Sequence, residues 1–396
     1  MTKTSVRIVH IDIARSLGIT AVILGHALII FATRPLPFNP DAFVQVRFIY
    51  AFHMPLFFFL SGLMHKPRDP AAILTGSLAL MIMALLTQLL AASINGLFGG
   101  GWIGMYDMVH TMVLQTSFLI GVTWFLVSLA VVRVLACLWL QGGTVARIAV
   151  LIVAAMSLIV ALLSEFRAFQ IQTWWAGLAF YFAGHLLTGL GRQADRAAEG
   201  MDGRWIGVLA LGVLVAFGVT ALTAAWNQGC LLDPRVICGS AVTHDRFMVR
   251  MIVGDYGFVP FFLLAAAAGT SGVMLLSILL MNLPRVALRY LVWMGENTLT
   301  LLILNGFVLM IGNQLLRAAI EGGYPGWVPV VVPLLLLIGH MVVLPLAIPV
   351  VTRAERISTA AARAIIARVP VPPLWPAACV RSGTDLPPGS DPGKTA

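Results

Sequence analysis

Apolar runs long enough to cross a lipid bilayer follow one another through almost the whole chain, from residue 11 to residue 351. A helix needs about 20 apolar residues to cross the hydrocarbon core, and within lipid every backbone amide must find a partner inside its own segment. Only 10% of the 396 residues are charged, against roughly a quarter in soluble proteins. The predicted fold is therefore an all-α, polytopic transmembrane bundle of about ten helices, with spans at 11–31, 48–64, 72–95, 119–139, 146–164, 173–190, 205–226, 256–282, 291–313 and 327–351.

The domain organisation follows from the same pattern. No long polar interval divides the apolar runs, so residues 1–352 are predicted to form one transmembrane domain. Residues 353–396 are predicted to form a cytoplasmic tail, helical at first and then disordered, because its end is rich in Pro, Gly and Ser. The first apolar run contains three ionisable residues and no cleavage site, which argues against a cleavable signal.

The basic residues bear on orientation rather than on nucleic acid. The formal net charge is +9, but Lys and Arg stand singly or in pairs at the ends of the apolar runs, where they set the topology of membrane proteins. Placing the N-terminus inside puts most of these cations at the cytoplasmic face. Both termini of a ten-helix chain are then cytoplasmic, and no nucleic-acid partner is expected.

The four cysteines are too few for a disulfide framework. Cys230 and Cys238 share a polar loop that is predicted to lie outside the membrane. They form a disulfide there if the compartment is oxidising, or remain two unpaired thiols. No spacing of Cys and His indicates a metal site, so no metal is expected.

The first span carries ionisable side chains, which are costly in lipid and therefore point to function. Asp12 and Arg15 are three residues apart, close enough to pair on one helix face. Arg15 and His26 are eleven residues apart, which is about 20° more than three full turns and about 16 Å along the axis. One helix face is thus predicted to carry a cation near the cytoplasmic boundary and an imidazole much deeper. A boundary ion pair and a histidine bonded to a carbonyl are the purely structural alternatives.

The second span begins with a histidine at a similar depth. His53 precedes Met54-Pro55, and helix geometry places it level with His26, so the two rings can meet. Alternatively, the His53 ring only satisfies carbonyl groups that the proline kink leaves free. Ser61-Gly62 allows a neighbouring helix or a ligand to approach closely.

Three further polar or aromatic positions are weaker candidates. Trp124 is more typical of an aromatic anchor at the membrane interface than of a binding site. Glu296 and Asn297 form a polar cluster near the inner end of the ninth span. Asn305, His185 and His340 are weaker still.

At these positions the chain resembles the integral-membrane acyltransferase family three, which modifies bacterial surface and secreted glycans. The resemblance rests on RIVHIDIARSLGITAVILGH, in which Arg15 and His26 reproduce the family's pattern of arginine, ten residues and histidine. It rests also on FHMPLFFFLSG at 52–62, TWFLVSL at 123–129 and GENTLTLLIL at 295–304. The form of the second motif is most similar to the subgroup around fucose 4-O-acetylases. In order and spacing the resemblance covers roughly residues 7–350.

The resemblance implies about ten helices in the bacterial cytoplasmic (inner) membrane, acyl-CoA as the donor, usually acetyl-CoA, and a glycan or glycolipid hydroxyl as the acceptor. It also assigns Arg15 and His26 to the active site. Two features depart from the family pattern. Leu304-Asn305 stands where many members have a histidine, and the soluble esterase-like domain of larger members is absent, so transfer is expected to finish in the membrane part or on a separate partner.

These expectations combine into a mechanism. His26, Arg15 and Asp12 are predicted to be catalytic, with Arg15 and Arg68 holding the phosphate end of coenzyme A. A shared protein-lined passage would carry the thioester to His26, which serves as general base or takes the acyl group as nucleophile. The predicted acceptor-binding residues are His53, Ser61, Trp124, Glu296 and Asn297. The alternatives are a transporter or flippase of a lipid-linked glycan, which would distribute ionisable groups over several spans, and an assembly subunit without chemistry.

Overall fold

The computed structural model describes residues 8–32, 39–66, 69–97, 105–114, 119–164, 166–189, 193, 195, 201–227, 247–320 and 323–368. Throughout these residues the backbone forms helices joined by turns, apart from one isolated β-bridge between Arg250 and Asp255. The predicted all-α fold is confirmed. Arg68, Cys230, Cys238 and the predicted disordered end of the tail lie outside the described residues.

The described helices are numbered here in chain order. They are α1 Val9–Ala32, α2 Pro40–Tyr50, α3 His53–Leu63, α4 Pro70–Leu97, α5 Met105–Leu114, α6 Trp124–Gln141, α7 Thr144–Leu163, α8 Trp174–Leu186, α9 Gly203–Trp226, α10 Val259–Leu279, α11 Arg285–Glu296, α12 Thr298–Ile320 and α13 Val328–Ile366. Short 3-10 turns occur at Gly121–Thr123, Ala168–Thr173, Met251–Val253 and Leu280–Asn282. The predicted tenth span, 327–351, is the first part of α13, which continues without a break to Ile366.

Eight segments of the described chain are helical, long and apolar enough to cross a membrane, with α2 and α3 together counting as one. A ninth is formed by α11 and α12 if the pair, bent by 72°, is taken as one span. The chain is therefore a multi-pass membrane protein, as predicted. The predicted sixth span, 173–190, contains the 13-residue α8, which is shorter than a full crossing requires.

The predicted second span, 48–64, is broken near its start. Ala51 and Phe52 separate α2 from α3, and the Phe52 backbone has non-helical angles (φ −136°, ψ −19°). Pro55 then lies in the first turn of α3, where its missing N–H would have had no partner in the helix. The break therefore starts a new helix at His53, with this side chain at its first position.

Glycines bring α3 and α8 into contact at their backbones. A Cβ atom on Gly62 would lie 1.8 Å from the Tyr181 carbonyl oxygen, and one on Gly184 would lie 2.0 Å from the Phe59 carbonyl oxygen. Small residues allow such close packing between membrane helices. Of the predicted pair Ser61-Gly62, the glycine thus accommodates a neighbouring helix.

Replacing Gly62 with Ala is expected to lower the thermal stability of the protein, because the added methyl group meets backbone rather than a side chain that can rotate away. Overpacking typically costs about 1–3 kcal/mol. The midpoint of thermal unfolding in detergent measures the effect. Gly207→Ala in α9 is the matched control, since no atom lies within 4 Å of that Cβ position. An unchanged midpoint for Gly62→Ala would contradict the close approach.

The first helix is enclosed by other helices. α1 contacts α2, α3, α10, α11, α12 and α13. Most of its residues are buried, including Asp12 and Ser16. The polar residues of α1 therefore face protein rather than lipid, and the site is built around this helix.

Candidate functional site

A cavity of about 640 Å³ opens beside the second half of α1. His26 contributes to its wall from α1, Tyr50 and His53 from the break between α2 and α3, and Trp124 from the start of α6. The remaining walls come from the end of α4 at Asn95, from the 119–122 and 249–252 segments and from α12. Three of the predicted site residues, His26, His53 and Trp124, thus line a single cavity.

Asn305 holds the His26 ring from the opposite helix. The Asn305 Nδ2 atom lies 2.8 Å from His26 Nδ1, so the amide donates and the neutral imidazole carries its hydrogen on Nε2. A half-turn of the amide would present Oδ1 instead and move the ring hydrogen to Nδ1, since both amide orientations fit the same space. Only 1% of Asn305 is exposed, although its position in the sequence made it one of the weakest candidates.

His53 has a fixed hydrogen position. Its Nδ1 atom lies 2.9 Å from the Ile49 carbonyl oxygen, and because a carbonyl only accepts, Nδ1 carries the hydrogen. The Nε2 atom of the neutral ring therefore has a free lone pair. The ring satisfies a carbonyl at the helix break, as one alternative foresaw, and it also lines the cavity.

Tyr50 connects the two imidazoles. Its ring centroid is 6.1 Å from that of His26, with the rings edge to face, and 4.8 Å from that of His53. Aromatic rings in this geometry support each other's orientation. The cavity thus holds two imidazoles of defined orientation beside two large aromatic surfaces, Tyr50 and Trp124, which suits a hydroxylated ring compound and a proton-transfer reaction.

The predicted ion pair on α1 is formed. Arg15 Nη1 lies 3.1 Å from Asp12 Oδ1, and 32% of the Arg15 side chain is exposed. The turn between α11 and α12 packs against this end of α1, because a Cβ atom on Gly295 would lie 1.9 Å from the Asp12 carbonyl oxygen. The GEN sequence at 295–297 therefore adjoins the arginine of the first motif.

The other predicted residues lie apart from the cavity. Glu296 and Asn297 are at the α11–α12 bend, and the Asn297 side chain donates to the Trp293 carbonyl of its own helix at 2.8 Å. The Ser61 hydroxyl donates to the Phe57 carbonyl at 2.8 Å. None of these three residues lines the cavity of His26. Their predicted contact with the acceptor stays a prediction, but the structure groups Glu296 and Asn297 with Arg15 rather than with His26.

The His26 cavity does not extend to Arg15, so the expected passage between the two residues stays a prediction. On α1 the cavity wall begins at Val22, and Arg15 does not belong to it. Ile19, between them, is completely buried. The interval between the arginine and the histidine is therefore packed in this structure, and a ligand that contacts both must displace side chains there.

The chain matches a known protein family over most of its length. Residues 8–351 match the model of the acyltransferase 3 family, which is described as an acyltransferase domain. No curated protein and no solved structure matched the chain. The family match covers both helices that carry the histidines and gives no support to the transport alternative.

Proposed function

Because the chain belongs to the acyltransferase 3 family and is an acyltransferase of the membrane, we propose that it transfers an acyl group, in the first instance acetyl, from acyl-CoA to a hydroxyl of a glycan or glycolipid. The donor is the cytoplasmic thioester, and the membrane is the bacterial inner membrane. The observation that carries the proposal is the hydrogen bond between half-buried His26 and buried Asn305, in a cavity with a second imidazole.

In the proposed reaction the acceptor hydroxyl lies against the His26 imidazole. His26 Nε2 takes the hydroxyl proton while the oxygen attacks the thioester carbonyl carbon. The tetrahedral intermediate then expels the coenzyme A thiolate as the carbon–sulfur bond breaks, and the imidazolium returns the proton to the sulfur. For this role the Asn305 amide must present Oδ1 to His26 Nδ1, because only then is the lone pair on Nε2.

His53 has a supporting part in this scheme. Its Nε2 lone pair, left free by the Nδ1 bond to Ile49, accepts a hydrogen bond from a second hydroxyl of the acceptor. Tyr50 and Trp124 provide aromatic faces for an apolar side of a sugar ring. Together these residues orient the acceptor, which turns the encounter of hydroxyl and thioester into a reaction between positioned groups.

Arg15 is proposed to bind the phosphate end of the donor. A guanidinium binds phosphate through paired hydrogen bonds, and Asp12 fixes its position at 3.1 Å. The distance along α1 to His26, about 16 Å, can be spanned by a slender, weakly polar pantetheine arm. The arm must enter along α1 past Ile19, which is packed in this structure.

The experiment that tests the proposal uses the purified protein in lipid nanodiscs with acetyl-CoA labelled in the acetyl group. We expect the thioester to be lost, which a thiol reagent measures as free coenzyme A. We also expect label to appear in a glycan fraction from bacterial membranes. Label transfer without thioester loss cannot occur in this scheme. A protein that inserts correctly and neither consumes acetyl-CoA nor labels any glycan would contradict the proposal.

Replacing Arg15 with Gln is expected to raise the KM for acetyl-CoA roughly tenfold or more, since hydrogen bonds to charged groups are worth about 1.5–3 kcal/mol. The value of kcat is expected to change less, because Arg15 contacts the phosphates and not the reacting carbonyl. Steady-state kinetics over a range of acetyl-CoA concentrations separates the two. Arg147→Gln is the matched control, since Arg147 donates to the Trp139 carbonyl outside this site. An unchanged KM in Arg15→Gln would exclude the phosphate role.

A further inference from the structure

The cavity beside His26 has one charged side chain in its lining. Among the described residues that form its wall, only Arg250 is charged at neutral pH whatever its surroundings, and no carboxylate is present. The rest of the wall consists of aliphatic, aromatic, imidazole and amide groups. A guanidinium at the wall of such a cavity offers N–H donors to an anionic guest.

The position of Arg250 is fixed by a closed turn. Its backbone exchanges two hydrogen bonds with Asp255, at 2.9 and 3.1 Å, and Gly254 takes the left-handed conformation (φ 80°) that the turn requires. The guanidinium also pairs with the Asp255 carboxylate. Even so, 52% of the Arg250 side chain is exposed, and a guanidinium has five N–H donors, so donors remain for a ligand.

A buried polar network anchors this turn to the helix bundle. Gln172 donates to the Ile252 carbonyl at 2.6 Å, and the Tyr256 hydroxyl donates to the Gln172 carbonyl at 2.9 Å. Just before Gln172, Phe169 and Gln170 have positive φ angles of 50° and 61°, which side chains other than glycine adopt at an energetic cost. The wall that carries Arg250 is thus held in place from both sides.

Arg250 lies toward the C-terminal end of α1. Met248, two residues before it, belongs to the same hydrophobic cluster as Leu28 and Phe31 at that end. Arg15, the proposed site for the donor phosphates, is eleven residues before His26, toward the opposite end of the same helix. The two cations therefore flank His26 from opposite directions. Arg15 is proposed to bind the donor, and Arg250 still has no ligand in the proposed reaction.

We propose that Arg250 binds an anionic group of the acceptor, specifically the carboxylate of a uronic-acid sugar, and thereby restricts the substrates to acidic glycans. This inference rests on the proposed function and names its acceptor class. Guanidinium and carboxylate form paired, charge-assisted hydrogen bonds. The bound carboxylate would hold the sugar ring with a hydroxyl directed toward His26.

The test is ligand-induced stabilisation of the purified protein in detergent, with glucuronate and glucose as probes, sodium chloride at matched ionic strength in every sample, and coenzyme A as a third ligand. The two sugars differ only at C6, where glucuronate has a carboxylate and glucose has a hydroxymethyl group. Wild type is expected to be stabilised more by glucuronate than by glucose, because a ligand that binds the folded state raises the unfolding midpoint. Arg250→Gln is expected to weaken the apparent affinity for glucuronate roughly 10- to 100-fold and to leave stabilisation by coenzyme A unchanged.

The double variant Arg250→Asp with Asp255→Arg separates binding from structure, because it restores an ion pair but removes the cation from position 250. If the preference for glucuronate is lost in both variants, the proposal stands. It is overturned if wild type does not prefer glucuronate, if Arg250→Gln keeps the preference, or if the exchanged pair restores it. Loss of stabilisation by coenzyme A in Arg250→Gln would also overturn the proposal, because Arg250 would then bind the donor rather than the acceptor. Thioester consumption by wild type, measured separately, reports whether the acyltransfer proposal itself has failed.

Discussion

Replacing His26 with Ala is expected to lower kcat for acyl transfer by a factor on the order of 10² to 10⁴, the usual contribution of a positioned general base. The physical reason is that His26 is the one histidine of the described wall whose partner is an amide. The Asn305 amide can place the ring hydrogen on Nδ1 or on Nε2, depending on its orientation. The KM for acetyl-CoA is expected to change little, since His26 lies about 16 Å along α1 from Arg15. Labelled acetyl transfer at saturating donor measures the effect.

The matched control is His340→Ala. His340 is also a buried histidine of a membrane helix, its Nδ1 atom donates to the Leu336 carbonyl at 2.6 Å, and it does not line the cavity. Loss of a buried ring costs stability in both variants, so only His26→Ala is expected to lose activity at equal amounts of folded protein. Equal activities of the two variants would remove His26 from the chemistry.

The fold could largely be predicted from the sequence. Exposing backbone amides to lipid is costly, and apolar runs long enough to cross a bilayer therefore have few possible structures besides helices. The exceptions are the two broken spans. The break at Ala51–Phe52 depends on packing around His53 and on its bond to Ile49, and hydropathy contains no information about either. Likewise, the ninth span was predicted at 291–313, whereas a separate amphipathic helix begins at Arg285 and ends in the bend after Glu296.

The site was accessible only in part. His26 and His53 stood out because ionisable side chains are rare in lipid. Helix geometry predicted that the two rings could meet, and both line one cavity. Asn305 remained only a weak candidate, because an amide costs less in lipid than a charge and its partner is 279 residues away in the sequence. Arg250 lies outside the predicted spans, and its place in the cavity wall depends on the Gln172 network. In both cases the decisive information is a tertiary contact.

The two imidazoles differ in what their partners permit, and this difference makes the mechanism testable. The Ile49 carbonyl allows one tautomer of His53 only. The Asn305 amide allows both tautomers of His26. With Nδ2 toward the ring, as in this structure, His26 presents an N–H to the cavity and can stabilise a negative oxygen. With Oδ1 toward the ring, it presents a lone pair and can accept the hydroxyl proton.

Replacing Asn305 with Asp is therefore expected to retain acyl transfer within roughly tenfold of wild type, whereas Asn305→Leu is expected to lower kcat on the order of 10²-fold or more. A carboxylate only accepts, so the Asn305→Asp variant would keep the hydrogen on His26 Nδ1 and leave Nε2 free to act as the base. Leucine removes the partner altogether, and a base held in the wrong tautomer has cost on the order of 10⁴-fold in the serine protease triad. Amounts of folded protein are compared first by size-exclusion chromatography and thermal unfolding.

The two variants distinguish a positioning role of Asn305 from a structural one. If Asn305 only fills space beside α1, leucine, which branches at the same carbon, is expected to preserve kcat better than aspartate, which introduces a buried charge. If His26 acts instead through its Nε2–H, with His53 as the base, both variants lose activity together, because neither can donate to His26 Nδ1. Only recovery by aspartate with failure of leucine fits a general base whose proton position is set by its neighbour on α12.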